Sequence, residues 1–163
     1  MGNIKRFYET NAAYFITTNT ENNIVLFADP KNCKILLVTL EYFKLVLDYR
    51  LYGYCIMPTH LHLAIHPFGI YNFSYIMKMI KGSFTRKINK ASGKTGKIWQ
   101  KGFYDEYIQD TLHLIKVLEY MHNNPVKAGL VTAPEEYSFS SYNHYFQTAY
   151  QPNQIIEIDK PVL

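Results

Sequence analysis

The pair His60-Leu61-His62, set in the apolar run from Gly53 to Pro67, places the tightest constraint on how this chain folds. Strand residues alternate between faces and rise about 3.3 Å each, so residues two apart share a face with backbones roughly 7 Å apart. On a strand, the two imidazoles look to one side and can converge on a single ion. Leu61, Leu63 and Ile65 then look to the other side and can enter a core. Alternation aligns two histidines by chance in many strands, so a metal reading needs a second motif. The segment from Leu118 to Val131, with Tyr120, Asn123, Asn124 and Pro125 at its centre, supplies one. Its helical pattern predicts a stop at Asn123-Asn124-Pro125, because proline lacks a backbone donor and disfavours helix in the residue before it. If the last turn stays helical through Asn124, Tyr120 and Asn124 lie four apart on one face and offer a phenol and an amide oxygen to the same site. Asn124 is then a candidate third metal ligand beside His60 and His62.

The remaining pattern predicts alternating elements. Tyr14 to Asn19 reads as a strand, and Pro30 opens a helix through Tyr49 with Leu36, Leu40, Phe43 and Leu47 on one face. Leu51 to Met57 and His60 to His66 read as a hairpin or as one long bent strand about Pro58-Thr59. Phe73 to Lys90 reads as a basic amphipathic helix, Trp99 to Ile108 as a strand, and Thr111 to His122 as the final helix. The order β-α-β-β-α-β predicts an α+β fold, a ferredoxin-like antiparallel sheet with the Tyr120 helix packed beside the His strand. At 163 residues, without repeats or low-complexity stretches, a single domain over 1–163 is expected, with 135–163 as a C-terminal tail. No apolar run is long enough to span a bilayer, and Met1 to Tyr8 lacks the apolar core of a secretory signal. A cytoplasmic location follows as the expectation. Cys33 and Cys55 do not form a ligand pair or a disulfide framework and read as buried thiols.

Charge is unevenly spread. The formal net charge is +4, yet no Asp or Glu occurs between Tyr49 and Tyr104. That stretch holds Arg50, Lys78, Lys81, Arg86, Lys87, Lys90, Lys94, Lys97 and Lys101, and Lys127 follows the Asn-Pro step. One part of the fold should be strongly positive, for which a phosphate backbone is the natural partner; a solvated helix face is the alternative. Phe84, Trp99, Phe103 and Tyr104 lie among these cations as candidate base-stacking or core residues. His66 shares the face of His60 and His62 and reads as a strand-end cap; His122 points away from Tyr120, and His113 and His144 have no evident partner.

Met57 to His62 and Tyr120 to Val131 together resemble the single-tyrosine HUH transposases, and among them the REP-associated tyrosine transposases. Tyr14-Phe-Ile-Thr-Thr-Asn19, Ile98-Trp-Gln-Lys-Gly-Phe-Tyr-Asp105 and Tyr137-Ser-Phe-Ser-Ser-Tyr142 are similar to further segments of that family, in the same order; Tyr137 stands where Trp is more usual. The resemblance implies a metal-dependent single-stranded DNA transposase and endonuclease. Tyr120 would be the catalytic nucleophile, and His60, His62 and Asn124 would hold the metal, with Mg²⁺ or Mn²⁺ suited to such a mixed set. It also implies a 5′-phosphotyrosine intermediate and a hairpin substrate, a REP-like palindrome. Lys78, Lys81, Arg86, Lys87, Lys90, Lys94, Lys97, Lys101 and Lys127 are the candidate DNA-binding residues, and a monomer is favoured over a homodimer.

The same residues leave two other classes open. One is a hairpin-binding protein that does not cut. The other is a metal-dependent phosphohydrolase in which water attacks and Tyr120 only packs; only the tyrosine reaction leaves a covalent protein–DNA adduct.

Overall fold

The computed structural model describes residues 8–9, 11–146 and 154–161. The elements run β1 (Ala13–Asn19), α1 (Pro30–Leu47), β2 (Tyr49–Met57), β3 (His60–Pro67), α2 (Phe73–Ser92), β4 (Tyr104–Ile108), α3 (Thr111–Lys127) and a short α4 (Tyr142–Phe146). The four strands form one antiparallel sheet in the order β2-β3-β1-β4, the expected ferredoxin-like arrangement. Pro58-Thr59 closes a hairpin between β2 and β3, which decides between the two readings of that segment. The whole Tyr137–Tyr142 stretch and residues 135–146 and 154–161 of the 135–163 tail are described, whereas 147–153 and 162–163 lie outside the described residues.

Each helix start has a chemical cause. Asp29, Asn72 and Asp110 sit at the N-caps of α1, α2 and α3, and each side chain accepts a backbone N–H of the first turn. Pro30 at the head of α1 loses no helical hydrogen bond there. α1 buries Leu36, Leu40, Phe43 and Leu47 as the spacing predicts.

The sheet has two unlike faces. On one, Ile16, Leu61, Leu63, Ile65 and Ile56 pack with α1 and α2 in the main core. On the other, Phe15, Cys55, Met57, Ala64 and Ile108 meet Leu114, Val117, Leu118 and Met121 of α3. Both thiols are buried and unpaired, and burial pushes each up to about 12. Phe84 and Trp99 are buried in the main core and therefore do not serve as base-stacking surfaces.

Several expectations change. α1 ends at Leu47 rather than running through Tyr49, because Asp48 takes a left-handed conformation (φ 51°) and Tyr49 opens β2. α3 does not stop at Asn123-Asn124-Pro125 but continues through Pro125 to Lys127. Pro125 stands near the C-terminal end, so its missing donor costs one late hydrogen bond, and its ring is buried. β4 begins at Tyr104, not Trp99; Trp99 makes only an isolated bridge to Thr20, since residues 100–103 turn away before the ladder with β1 resumes. Nor is α3 the last helix, since α4 follows it.

The outer edge of β2 is covered. Ile56 N–H donates to the Phe139 carbonyl, Ser141 N–H to the Tyr54 carbonyl and Asp159 N–H to the Leu51 carbonyl. Leu51 N–H donates to Asp159 Oδ2, and Tyr54 N–H to Ser141 Oγ. Lys44 fixes the last segment through an ion pair with Asp159 at 3.3 Å.

α3 lies close to β2 because Gly53 leaves room for it. A Cβ built there would stand 2.5 Å from Leu118 Cδ2 and 2.9 Å from Met121 Cε. Gly53→Val is therefore expected to lift α3 from the sheet and destabilise the protein by about 1–3 kcal/mol, read from the shift in the urea unfolding midpoint; no shift would mean the α3 side chains yield freely.

Candidate functional site

His60 and His62 leave β3 on the α3 face, and their rings meet edge to face with centroids 4.8 Å apart. β1 runs beside β3 with Thr17 opposite His62, so the Thr17 hydroxyl reaches His62 Nδ1 at 2.8 Å. Asn124 approaches from α3 and places Nδ2 3.4 Å from His62 Nε2, while donating to the Tyr120 carbonyl at 3.0 Å. An amide N–H needs a lone pair to bond, which puts the lone pair on His62 Nε2 and the proton on Nδ1, donating to Thr17. His60 Nδ1 is likewise engaged, 3.1 Å from Thr59 Oγ1. Both imidazoles are thus tied at Nδ1.

Burial keeps them neutral. It lowers the His60 pKa, and it lowers His62 to about 3, with the neighbouring His60 adding to the effect. A neutral ring with a free Nε2 is the form that binds metal. Among the described residues no cluster of three or more His, Cys, Asp or Glu side chains occurs, so a third protein ligand has to be a neutral group, and Asn124 is the one at hand. The amide end facing His62 is the nitrogen. The donor types fit a divalent cation, and a 180° turn of the Asn124 amide would present its oxygen to the ion and free the His62 Nε2 lone pair.

Tyr120 stands one turn before Asn124 on the same face, as expected from a helix that persists through it. Its ring is edge-on to His62 at 5.9 Å and to Phe15 at 5.8 Å. It is 47% exposed, so packing does not account for it. The Lys127 ammonium lies 5.3 Å from its ring centre.

The other histidines have structural partners. His66 lies between the Tyr52 hydroxyl at 3.0 Å and Asn11 Oδ1 at 3.1 Å, in keeping with a strand-end role. His122 faces away from Tyr120 and meets Ser141 Oγ at 2.8 Å. His113 and His144, for which the sequence suggested no partner, have them: His113 pairs with Glu106, and His144 with the Tyr54 hydroxyl and Gln154.

The cations divide into two groups. Lys78, Lys81, Arg86, Lys87 and Lys90 lie on α2, across the sheet from Tyr120. Lys81 donates to the carbonyls of Gln100 and Gly102, and Lys87 to Thr39, so both serve the fold. Lys94, Lys97 and Lys101 lie in the α2–β4 connection. Gln100 N–H donates there to the Asn19 carbonyl, and Asn19 pairs with His60, so this connection crosses the His60 end of the sheet. Of the candidate cations, Lys127 is the one that lies beside Tyr120.

Residues 12–124 match the model of the family described as Transposase IS200 like. The chain belongs to the IS200-like transposase family. A Haemophilus influenzae protein assigned as a REP-associated tyrosine transposase is 31% identical over 99 residues, covering 55% of this chain; the chain spans 56% of that protein's length. The REP-associated tyrosine transposase of Escherichia coli is 25% identical over 153 residues, covering 88% of this chain and 84% of that protein. A solved REP-associated tyrosine transposase bound to a REP hairpin superposes with a TM-score of 0.78 at 20% identity, covering 100% of this chain and 99% of that one. That structural likeness speaks for the fold. The REP-associated branch suggested by the two sequence motifs is thus the one to which this family member is similar. No helix among the described residues is long and apolar enough to cross a membrane.

The sequence reading did not assign Thr17, Glu106, His113 or Lys116, all of which line a cavity of about 510 Å³ with Tyr120 and His62. The spacing of His113, Lys116, Val117 and Tyr120 along α3 carried a signal for the helical ones. Thr17 carried none, because it depends on the β1–β3 register.

Buried neutral histidines make stability acid-sensitive. His122 is 4% exposed, and burial, followed by His144, lowers its pKa to about 4 from 6.5. The unfolded chain therefore takes up the proton first, so this contribution is complete above pH ~6.5 and is lost as the pH falls toward 4. Urea unfolding in chelator is expected to lose up to about 1.4 kcal/mol per pH unit over that range for each such histidine. His122→Gln should remove its share of the slope; an unchanged slope would mean His122 is protonated in place.

Proposed function

We propose that this family member is a metal-dependent transposase and endonuclease of single-stranded DNA that cuts and rejoins strands beside hairpins through a 5′-phosphotyrosine intermediate. The observation that carries the reading is the convergence of a half-exposed phenol, two neutral imidazoles and an amide, with Tyr120 and His62 lining one cavity while His60 and Asn124 each approach His62. The exposure of Tyr120 favours a nucleophile over a packing residue.

His60, His62 and Asn124 would hold a divalent cation, Mg²⁺ or Mn²⁺, which when bound polarises the scissile phosphate and draws charge from its non-bridging oxygens. The protein's own residues do the rest. Thr17 and Thr59 fix the ring orientations from the Nδ1 side. Tyr120 Oη attacks phosphorus in line with the leaving 3′-oxygen; the Oη–P bond forms as the P–O3′ bond breaks, the phenol gives up its proton and O3′ gains one. Attack by a free 3′-hydroxyl reverses each change and joins strands without an external energy source. Lys127 lies over the Tyr120 ring, close enough to meet a phosphate of the strand that Tyr120 attacks. Lys94, Lys97, Lys101 and Lys127 are the cations best placed to meet the backbone on either side, and Lys78, Arg86 and Lys90 extend the positive surface along α2. The solved relative bound to a REP hairpin supports the same substrate class here.

Two outcomes test this. Incubation of wild type with single-stranded hairpin DNA from the flanks of its own gene should yield a Mn²⁺- or Mg²⁺-dependent covalent adduct on a denaturing gel. Tyr120→Phe should abolish that adduct while binding the same DNA within about twofold, and Tyr107→Phe should leave both intact; an adduct in Tyr120→Phe would remove Tyr120 from its role. Thr17→Val should weaken Mn²⁺ binding, measured by titration calorimetry, roughly 10–100-fold, and unchanged affinity would place the metal away from His62.

A further inference from the structure

Tyr104 is an exposed aromatic ring held from behind. Its hydroxyl donates to Glu106 Oε2 at 3.0 Å, Glu106 Oε1 lies 3.2 Å from His113 Nε2, and His113 Nδ1 accepts the Gln109 N–H at 3.2 Å. With a backbone donor at Nδ1, the His113 proton resides on Nε2 and is donated to Glu106. Two elements build this brace. β4 sets Tyr104 and Glu106 on one face two residues apart, and α3 brings His113, Lys116 and Val117 up beside Tyr120.

With Phe15, Thr17 and His62 these residues line the cavity of about 510 Å³ beside Tyr120. Phe15 forms its wall, meeting the rings of Tyr104 at 6.4 Å and Tyr120 at 5.8 Å, both edge-on. Tyr104 is 56% exposed, so the brace secures a ring that contributes little to the core. A surface ring already confined loses little freedom when another planar group lies against it.

We propose that Tyr104, braced by Glu106 and His113, is a stacking platform for one unpaired nucleobase next to the phosphate that Tyr120 attacks, with Lys116 meeting the backbone of that nucleotide. The inference rests on the strand-cleaving reading of Tyr120. Both Glu106 oxygens are already engaged, so the platform meets the π-face of the base and accepts any of the four. The hydrogen bond to Glu106, followed by burial, raises the Tyr104 pKa and keeps the phenol neutral beside the DNA backbone.

The test pairs protein variants with damaged DNA. Hairpin oligonucleotides from the flanks of its own gene carry a single abasic site at each position around the cut, mapped with Mn²⁺, and binding is measured by fluorescence anisotropy in chelator. One abasic position is expected to weaken binding roughly 5- to 150-fold. Tyr104→Ala should weaken binding to intact DNA by a similar factor and add nothing on that abasic oligonucleotide; Tyr104→Phe, which keeps the ring but loses the brace, should fall between. Additive losses, or wild-type affinity in Tyr104→Ala, would overturn the platform while leaving adduct formation by Tyr120 standing. A wild type that neither binds these oligonucleotides nor forms an adduct would overturn both.

Discussion

Everything at this site depends on a single alternation in β3. Because Leu61, Leu63 and Ile65 are fully buried against α1 and α2, the register of the strand is fixed by apolar contact on one face. His60 and His62 are thereby held toward α3, and a slip of one residue would bury both imidazoles in a leucine core. The hydrophobic effect on one side of the sheet thus sets the chemistry on the other. Gly53 on the neighbouring strand brings α3 close enough for its side chains to reach that chemistry.

The second requirement is that the imidazoles stay uncharged and keep a fixed orientation. Desolvation supplies the first and the threonines the second: Thr17 comes from the adjacent strand and Thr59 from the turn. Ser141 plays a comparable part further away. It accepts the Tyr54 N–H at the β2 edge and meets His122 on α3, so one hydroxyl joins the sheet edge to the helix that carries Tyr120. The seating of α3 is therefore determined at both its apolar face and this polar link.

Much of this was legible in the sequence because it is local. Period-two alternation located the His strand, and the spacing of Leu36, Leu40, Phe43 and Leu47 located the buried side of α1. The four-residue step from Tyr120 to Asn124 placed two site residues on one face. What escaped was set by tertiary contact. Pro125 carries a local instruction to end the helix, which burial of its ring overrides. Trp99 and Phe84 sit among cations in sequence but stack with Phe27 in the core. Thr17 becomes a partner of His62 only through β1–β3 pairing, and the link between Glu106 and His113 requires α3 to fold back over β4.

The covered edge of β2 has a consequence for how copies of the chain can associate. An open strand edge invites a second sheet to continue the ladder. Here the main-chain groups of Leu51, Tyr54 and Ile56 are already bonded to residues 139, 141 and 159 of the same chain. Continuous-sheet pairing of two molecules through that border would first have to strip away these segments, and with them the hydroxyl that ties α3 in place. The molecule has committed that flank to itself.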